Sequence, residues 1–333
     1  MPKVSVLLPT YNYARFLPEA IESVLAQDLA DFELVVSDDA STDGSAEIIR
    51  SYAARDPRIR AKVQERNLGM VANWNWCLAQ ARGNHVKFLF GDDRLVSNRA
   101  LTRLAALLDA EPSATLAVSA RLILDENSRG VEIWDELGAA GLKSGREVIV
   151  RCLRRDRNLI GEPSAVMFRR SAGLRGFDPA WRQLVDQEMW FHLLSFGNLV
   201  YEPEPLCAFR RHAAQQTVVN RDSHVSSEES LVILARYLDD FSATVNIPLD
   251  SFAIRRLLFN YIYYSRKNSR KDAARTPAVV AAEDRLMAQL TPRWYARCLA
   301  WHRLTKPLVN LARSLRPRGE PGRRRLPAPA VLT

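Results

Sequence analysis

The sequence predicts an α/β fold: a mixed, mostly parallel sheet flanked by helices, followed by a helical carboxyl-terminal extension. Three observations carry this. Short β-branched and Leu-rich runs alternate with helix-length segments from Val4 to Leu124, the order that winds helices around a parallel sheet. The first two runs, Val4–Leu8 and Phe32–Ser37, are apolar almost throughout, as strands covered on both faces are. From about Ser226 the pattern turns helical, with SLVILARYL and FAIRRLLFNYIYY as apolar helices.

In chain order, a helix-like segment separates the first two strands, and a helix follows over Gly44–Arg55. A strand lies near Ile59–Gln64, and Asn67-Leu68-Gly69 opens a helix over Met70–Arg82. His85–Phe90 is the next strand, closed by Gly91-Asp92-Asp93; a helix covers Arg99–Asp109 and a strand Leu116–Leu124. Asp125–Arg146 is polar and Gly-bearing and reads as an insertion or loop. Ser164–Phe168 returns to strand character and Asp186–Phe196 to helix. The tail from Arg316 is rich in Arg and Pro and reads as disordered.

Composition bounds the function. The chain has 333 residues, with 47% hydrophobic and 26% charged residues, enough for one large α/β core with an appendage. The formal net charge is +9, but Arg293–Arg325 holds ten Lys or Arg against the single acid Glu320, so the rest of the chain sums to zero. A basic segment, not a basic body, argues against nucleic-acid binding. Cys77, Cys152, Cys207 and Cys298 are scattered without a CxxC pair, which points to reduced thiols in a cytoplasmic protein. No secretory leader is visible, and no apolar run approaches the roughly 18 residues of a membrane span.

The chemistry gathers where the strands end. Pro9-Thr10-Tyr11-Asn12 follows the first strand and Asp38-Asp39-Ala40-Ser41-Thr42-Asp43 the second. Parallel α/β sheets bind ligands at this carboxyl edge. Carboxylates there repel a bare phosphate; they suit base and ribose donors, or a metal that bridges to phosphate. A nucleotide site of the acidic, metal-using kind follows.

PTYN, SDDASTDGS, NLGM, FLFGDD, GFDPAW with VDQEMWFHL, and EPEPLCAFRRH occur in that order over roughly residues 3–217. The set resembles a family 2 glycosyltransferase of the GT-A fold, inverting and of the bacterial surface-polysaccharide type. The resemblance implies a GT-A domain over 1–220, with a nucleotide-sugar part to about 125 and an acceptor part from 126. A helical region at 221–315 and the tail at 316–333 follow it.

Carried over residue by residue, Pro9, Thr10, Tyr11 and Asn12 line the base and ribose, and Asp39 with Asp38 accepts from the base N–H. A carboxylate accepting an imide N–H favours uracil or thymine, hence a UDP- or dTDP-sugar, with guanine still open. Asn67 and Gly69 sit where a helix amino terminus faces a ligand, a place that a plain turn also explains. Asp43 before Gly44 reads as a helix cap. The family's Asp-x-Asp for Mg²⁺ or Mn²⁺ stands here as Phe90-Gly91-Asp92, followed by Asp93. The first acid is lost and the metal-ligating last acid kept. Asp92, Asp93 and His212 form the implied metal set.

Inverting transfer needs one general base to take the acceptor hydroxyl proton. The resemblance gives that role to Asp186, whose position also suits a helix cap. Glu188, two residues on, should point about 200° away. Arg210, Arg211 and His212 match the family's aromatic-Arg-x-His segment, with the choice between the two arginines open; they would neutralise the leaving diphosphate. Glu162 falls where the family shapes its acceptor pocket, and Trp190 reads as core. The QxxRW signature of processive synthases is absent, so single-sugar addition to a saccharide or lipid-linked saccharide is expected.

Two other classes compete: a degenerate nucleotide-sugar-binding subunit, prompted by Phe90, and a sugar nucleotidyltransferase, whose Gly-rich triphosphate loop PTYN is not. Trp and Leu at three-to-four spacing among Arg and Lys in Arg293–Leu315 read either as a peripheral membrane surface or as a helix packed on the body.

Overall fold

The computed structural model describes residues 1–212, 215, 225–268, 275–314 and 322–326, with the side chains of 245 and 306–314 left aside. Its elements are β1 (Val4–Thr10), α1 (Leu17–Leu25), β2 (Phe32–Asp38), α2 (Ser45–Ala53), β3 (Ile59–Val63), α3 (Met70–Gln80), β4 (His85–Phe88), β5 (Arg94–Leu95), α4 (Ala100–Ala110) and β6 (Ala114–Leu124). There follow β7 (Gly130–Trp134), β8 (Gly141–Lys143), α5 (Gly145–Arg155), a 3₁₀ turn at Pro163–Ala165, β9 (Val166–Arg169), α6 (Val185–Leu194) and β10 (Asn198–Arg210). The carboxyl-terminal part holds α7 (Val225–Val245), α8 (Phe252–Asn268), α9 (Pro277–Leu290), α10 (Pro292–Ser314) and β11 (Arg323–Arg325).

The sheet runs β11-β7-β6-β9-β4-β1-β2-β3, and β10 lies along β6. β1 is parallel to β2 and β4, β2 to β3, and β6 to β10, whereas β9 is antiparallel to β4 and β6. The sheet is therefore mixed and mostly parallel in its first half. Register sets the site. Thr10 pairs with Asp38 at the last rung of β1 and β2, and Leu7 pairs with Phe88 in β4. The three following loops leave the same edge side by side. β1 and β2 are buried along their whole length, which explains their unbroken apolar runs.

Helices cover both faces, and Phe88, Phe168, Phe177 and Trp190 meet in the core in stacked, tilted and edge-on pairs. Trp190 donates Nε1–H to the Gly161 carbonyl at 2.9 Å, so it is a core residue with its one donor satisfied. Lys87 of β4 is fully buried and donates to the Phe88 carbonyl at 2.7 Å and to the Ser164 carbonyl. Burial pulls its ammonium down to about 8. This clasp ties the end of β4 to the 3₁₀ turn beside Glu162.

Four features depart from the sequence expectation. Asp125–Arg146 holds β7, β8 and the start of α5; the Asp125 carboxylate closes a turn by accepting from Asn127 and Arg129 N–H, both at 2.9 Å. α5 follows directly, its buried side built from Val148, Ile149, Cys152 and Leu153 between arginines. β10 runs for 13 residues through Pro203 and Pro205, which fall at its register shifts, where a strand tolerates a missing N–H. Within the tail read as disordered, Arg323–Arg325 is an edge strand antiparallel to β7, with Arg323 stacked over Trp134 at 3.7 Å; residues 316–321 and 327–333 lie outside the described ones.

The carboxyl-terminal helices are bonded to the body. Tyr261 of α8 donates its buried hydroxyl to the Leu153 carbonyl of α5 at 2.7 Å. Among the described residues no helix is long and apolar enough to cross a membrane.

Candidate active site

The loops after β1, β2 and β3 are laced together by side chains. Asn12, in the left-handed region at φ 56°, accepts from Thr42 N–H at 2.9 Å and donates its own N–H to Ser41 Oγ at 2.8 Å. Asp43 accepts from Ala14 N–H at 2.8 Å and from the amide and hydroxyl of Ser45. It therefore fastens the first loop to the start of α2, whose N-cap position is Gly44 rather than the Asp43 read from the sequence. Asp38 is fully buried and accepts from the Ser41 amide at 3.1 Å and from the Ser41 hydroxyl. Both its oxygens serve this turn, so Asp38 shapes the loop that follows β2.

Asp39 reaches the third loop. Its Oδ1 accepts from Leu68 N–H at 2.7 Å and its Oδ2 from Gly69 N–H at 3.1 Å. Asn67 adds a bond from Nδ2 to the Asp39 carbonyl at 3.2 Å, and its Oδ1 accepts from Gly69 N–H at 3.0 Å. Gly69 sits at φ 87°, a backbone that favours glycine, and its N–H is already taken. Asn67 and Gly69 are thus a turn gathered by Asp39. Each Asp39 oxygen keeps a second lone pair for a ligand N–H.

Tyr11 is 46% exposed at the rim. Pro9 and Thr10 are buried beneath it, and Thr10 Oγ1 has no hydrogen-bond partner. A Cβ on Gly91 would come within 2.5 Å of that hydroxyl, so only glycine lets the β4 loop pass so close to β1.

That passage brings Asp92 to the same edge. Asp92 Oδ2 lies 3.0 Å from His212 Nε2, and the imidazole rests against Phe16 and edge-on to Tyr13. The Tyr13 hydroxyl hydrogen-bonds to Asp92, and burial with the Asp92 and Asp93 charges pushes its pKa up. An Asp oxygen beside an imidazole nitrogen, next to an unsatisfied hydroxyl, fits a divalent cation of the Mn²⁺ or Mg²⁺ kind whose other ligands come from phosphate and water. Among the described residues no three His, Cys, Asp or Glu side chains converge as a complete cage.

Asp93 lies deeper than Asp92, with its Oδ2 buried and, among the described residues, without a hydrogen-bond partner. It is 1% exposed, accepts the Arg210 N–H at 3.0 Å, and burial with the Asp92 charge raises its pKa well above the usual carboxylate range. Arg210 is corrected as a diphosphate group. Its side chain is fully buried over Phe16 and donates to the Asp92 carbonyl at 2.8 Å, Ser128 Oγ at 2.7 Å and Glu19 at 2.6 Å. It props the Asp92 loop from beneath. Arg211 points elsewhere, to Glu132 at 3.1 Å and over Trp134. Phe90, which replaces the family's first acid, packs on Trp74 at 4.8 Å as an apolar wall.

Asp186 stands in the first turn of α6. Its Oδ1 accepts from Gln187 N–H at 2.7 Å and its Oδ2 from Asn158 Nδ2 at 3.1 Å. Burial, and next the Glu162 charge, push its pKa from 3.8 up to about 7, against those backbone bonds and the Arg121 cation. Glu162 is held by Arg121 at 2.9 Å, and buried Arg121 also grips Glu136 at 2.8 Å. The Glu162 charge also raises Asp93, so Asp92, Asp93, Glu162 and Asp186 share one acidic neighbourhood, an acidic wall in the electrostatic sense. Glu188 faces the other way, fully buried between Arg175 and Arg236.

Tyr13, Arg121 and Asn158 were not singled out in the sequence. Arg121 carried a visible signal, a cation inside the apolar strand LAVSARLIL, and Tyr13 adjoined PTYN. Asn158 had none.

Comparison with known proteins gives the family and the fold. The chain is 32% identical over 225 residues to an uncharacterized protein of Mycobacterium tuberculosis (strain CDC 1551 / Oshkosh), covering 65% of this chain and 69% of that one. It is 28% identical over 274 residues to an uncharacterized glycosyltransferase of Nostoc sp. (strain PCC 7120), covering 79% and 83%. A putative glycosyltransferase, EpsE of Bacillus subtilis (strain 168), is 36% identical over 143 residues, 42% of this chain and 51% of that one. The fold resembles TarS 1–349 of S. aureus, solved with UDP-GlcNAc, with a TM-score of 0.60 at 17% identity over 90% and 92% of the two chains. It also resembles the mannosyltransferase PcManGT of Pyrobaculum calidifontis, solved with GDP-Man and Mn²⁺, with a TM-score of 0.52 at 17% identity over 94% and 80%. The fold is GT-A, with added carboxyl-terminal helices. Residues 5–172 match the profile described as Glycosyl transferase family 2, and with half the chain matched the protein belongs to that family.

Proposed function

We propose that the protein is a metal-assisted inverting glycosyltransferase moving one sugar from a UDP- or dTDP-sugar to a hydroxyl of a saccharide, free or lipid-linked, in surface-polysaccharide synthesis on the cytoplasmic side. The observation that carries this reading is the acidic wall: the Asp92–His212 pair at one end, Asp186 with its pKa near neutrality at the other. A base titrating near the working pH is both ionised and proton-hungry. Tyr11 and Asp39 would receive the base, and the buried Thr10 hydroxyl would receive a donor from the ribose or diphosphate. Asp92 and His212 would hold Mn²⁺ or Mg²⁺, which when bound neutralises the leaving diphosphate. Asp186 takes the acceptor proton, held in place by Asn158 and Gln187, while Glu162 offers a second carboxylate to acceptor hydroxyls.

The degenerate-subunit reading rests on Phe90. Its place against Trp74 gives the substitution a packing role, and the sequence keeps both Asp92 and Asp186.

The test is slow donor hydrolysis, which needs no acceptor. Purified protein is given UDP-, dTDP- and GDP-sugars with Mn²⁺, and nucleoside diphosphate release is followed with the anomer first formed by NMR. The proposal expects release from a UDP- or dTDP-sugar, stopped by chelation, with the anomeric configuration inverted. Retained configuration, or release that a chelator leaves untouched, would refute it.

A further inference from the structure

The carboxyl-terminal helices leave one face open. Phe252, Arg256 and Phe259 recur along α8, and Trp294, Arg297 and Trp301 along α10, at spacings of three or four that put each set on one side of its helix. The two stripes converge on a groove of about 280 Å³. Phe259 is buried in its floor, whereas Phe252 is 60%, Trp301 57% and Leu304 75% exposed. Large apolar side chains clustered at this exposure mark a contact surface.

The charge around them selects the partner. α8 has four Lys or Arg and no acid, and α10 has five and no acid. Arg256, Arg293, Arg297 and Arg303 are exposed, and none pairs with a carboxylate among the described residues. Arg255 and Arg297 lie over the Trp294 ring at 4.7 and 5.4 Å, which keeps cation and aromatic ring in one layer. A second copy of this face would oppose like charges. Trp, Phe and Leu among unopposed arginines is the composition of a helix surface that lies on anionic lipid.

We infer that the α8–α10 face docks the protein on an anionic phospholipid bilayer, with Phe252, Trp301 and Leu304 entering the interface and the four arginines meeting headgroup phosphates. The surface is made by two helices together, not by one carboxyl-terminal segment. Arg323–Arg325 takes no part, since it is paired with β7. Tyr261 ties α8 to α5, so the docked face is fixed relative to the acidic wall.

The test is flotation of the full-length protein with vesicles of phosphatidylglycerol and phosphatidylcholine, against vesicles of phosphatidylcholine alone. The double variants Phe252→Ser/Trp301→Ser and Arg256→Glu/Arg297→Glu remove the apolar and basic parts separately. These sites are exposed, so circular dichroism and melting should match wild type. Binding is expected only to the anionic vesicles, weakened by salt, and reduced about tenfold or more in each variant. Absence of binding to anionic vesicles, or binding that both variants leave unchanged, would overturn the inference. A lipid-free dimer lost in both variants, with no vesicle binding, would overturn it too and make the face a self-association surface.

Discussion

Asp186 is asked to be a base while sitting where burial and Glu162 hold its proton on. Activity should therefore rise with pH through about 7, as the carboxyl ionises. Asp186→Asn should lower turnover by about 10²–10⁴-fold with nucleotide binding kept. Glu162→Gln removes a neighbouring negative charge, so the acid limb of the pH profile should move to lower pH; a limb that stays in place would separate Glu162 from the base. Stability follows the same linkage. The native state keeps the Asp186 proton up to about 7 and the unfolded chain only to its ordinary 3.8, so stability declines as pH rises across that window. Thermal melting should show Asp186→Asn above wild type at pH 8, with the gap closing near pH 4. At Arg210 the motif was legible and the direction of the side chain was not, because only the tertiary fold turns the guanidinium inward toward Glu19. Arg210→Met should cost about 3 kcal/mol in denaturant unfolding, since it strands the carboxylate and carbonyl that the guanidinium holds. A variant with full stability and weakened nucleotide binding would restore the diphosphate role.

Helix α6 owes its placement to a residue far along the chain. Glu229 of α7 accepts from the N–H groups of Arg182, Gln183 and Leu184 at 2.7, 3.0 and 2.7 Å, satisfying the donors that lead into α6. Glu188 on the buried side of α6 is gripped by Arg236 of the same α7. Glu229→Ala should cost about 1–2 kcal/mol and depress turnover, by loosening the helix that carries Asp186; unchanged stability in a chemical melt would sink this account. None of this is readable from spacing, since a helix cap supplied more than forty residues away leaves no local mark. Local periodicity did announce β1, β2, α3 and α4, where burial and strand or helix repeat coincide. It missed β7, β8 and β10, whose short length, edge position and prolines erase the alternation, and α5, where arginines dilute the apolar stripe.

At the scale of the molecule, charge is divided by region. The sheet edge gathers carboxylates, and the positive charge lies in the carboxyl-terminal helices and tail. The division was legible in the sequence; the return of Arg323–Arg325 to β7 was not, because a stretch rich in Arg and Pro reads as disordered until Trp134 and Glu136 are placed beside it. The acidic edge receives an anionic donor only if a cation accompanies it, and this is the central claim. Titration calorimetry of UDP, dTDP and GDP, each with Mn²⁺, Mg²⁺ or a chelator, tests it on wild type, Asp92→Ala and Asp186→Asn. The account predicts metal-dependent binding of UDP or dTDP that Asp92→Ala abolishes and Asp186→Asn retains. Binding that persists in chelator, or that survives Asp92→Ala unchanged, would contradict it.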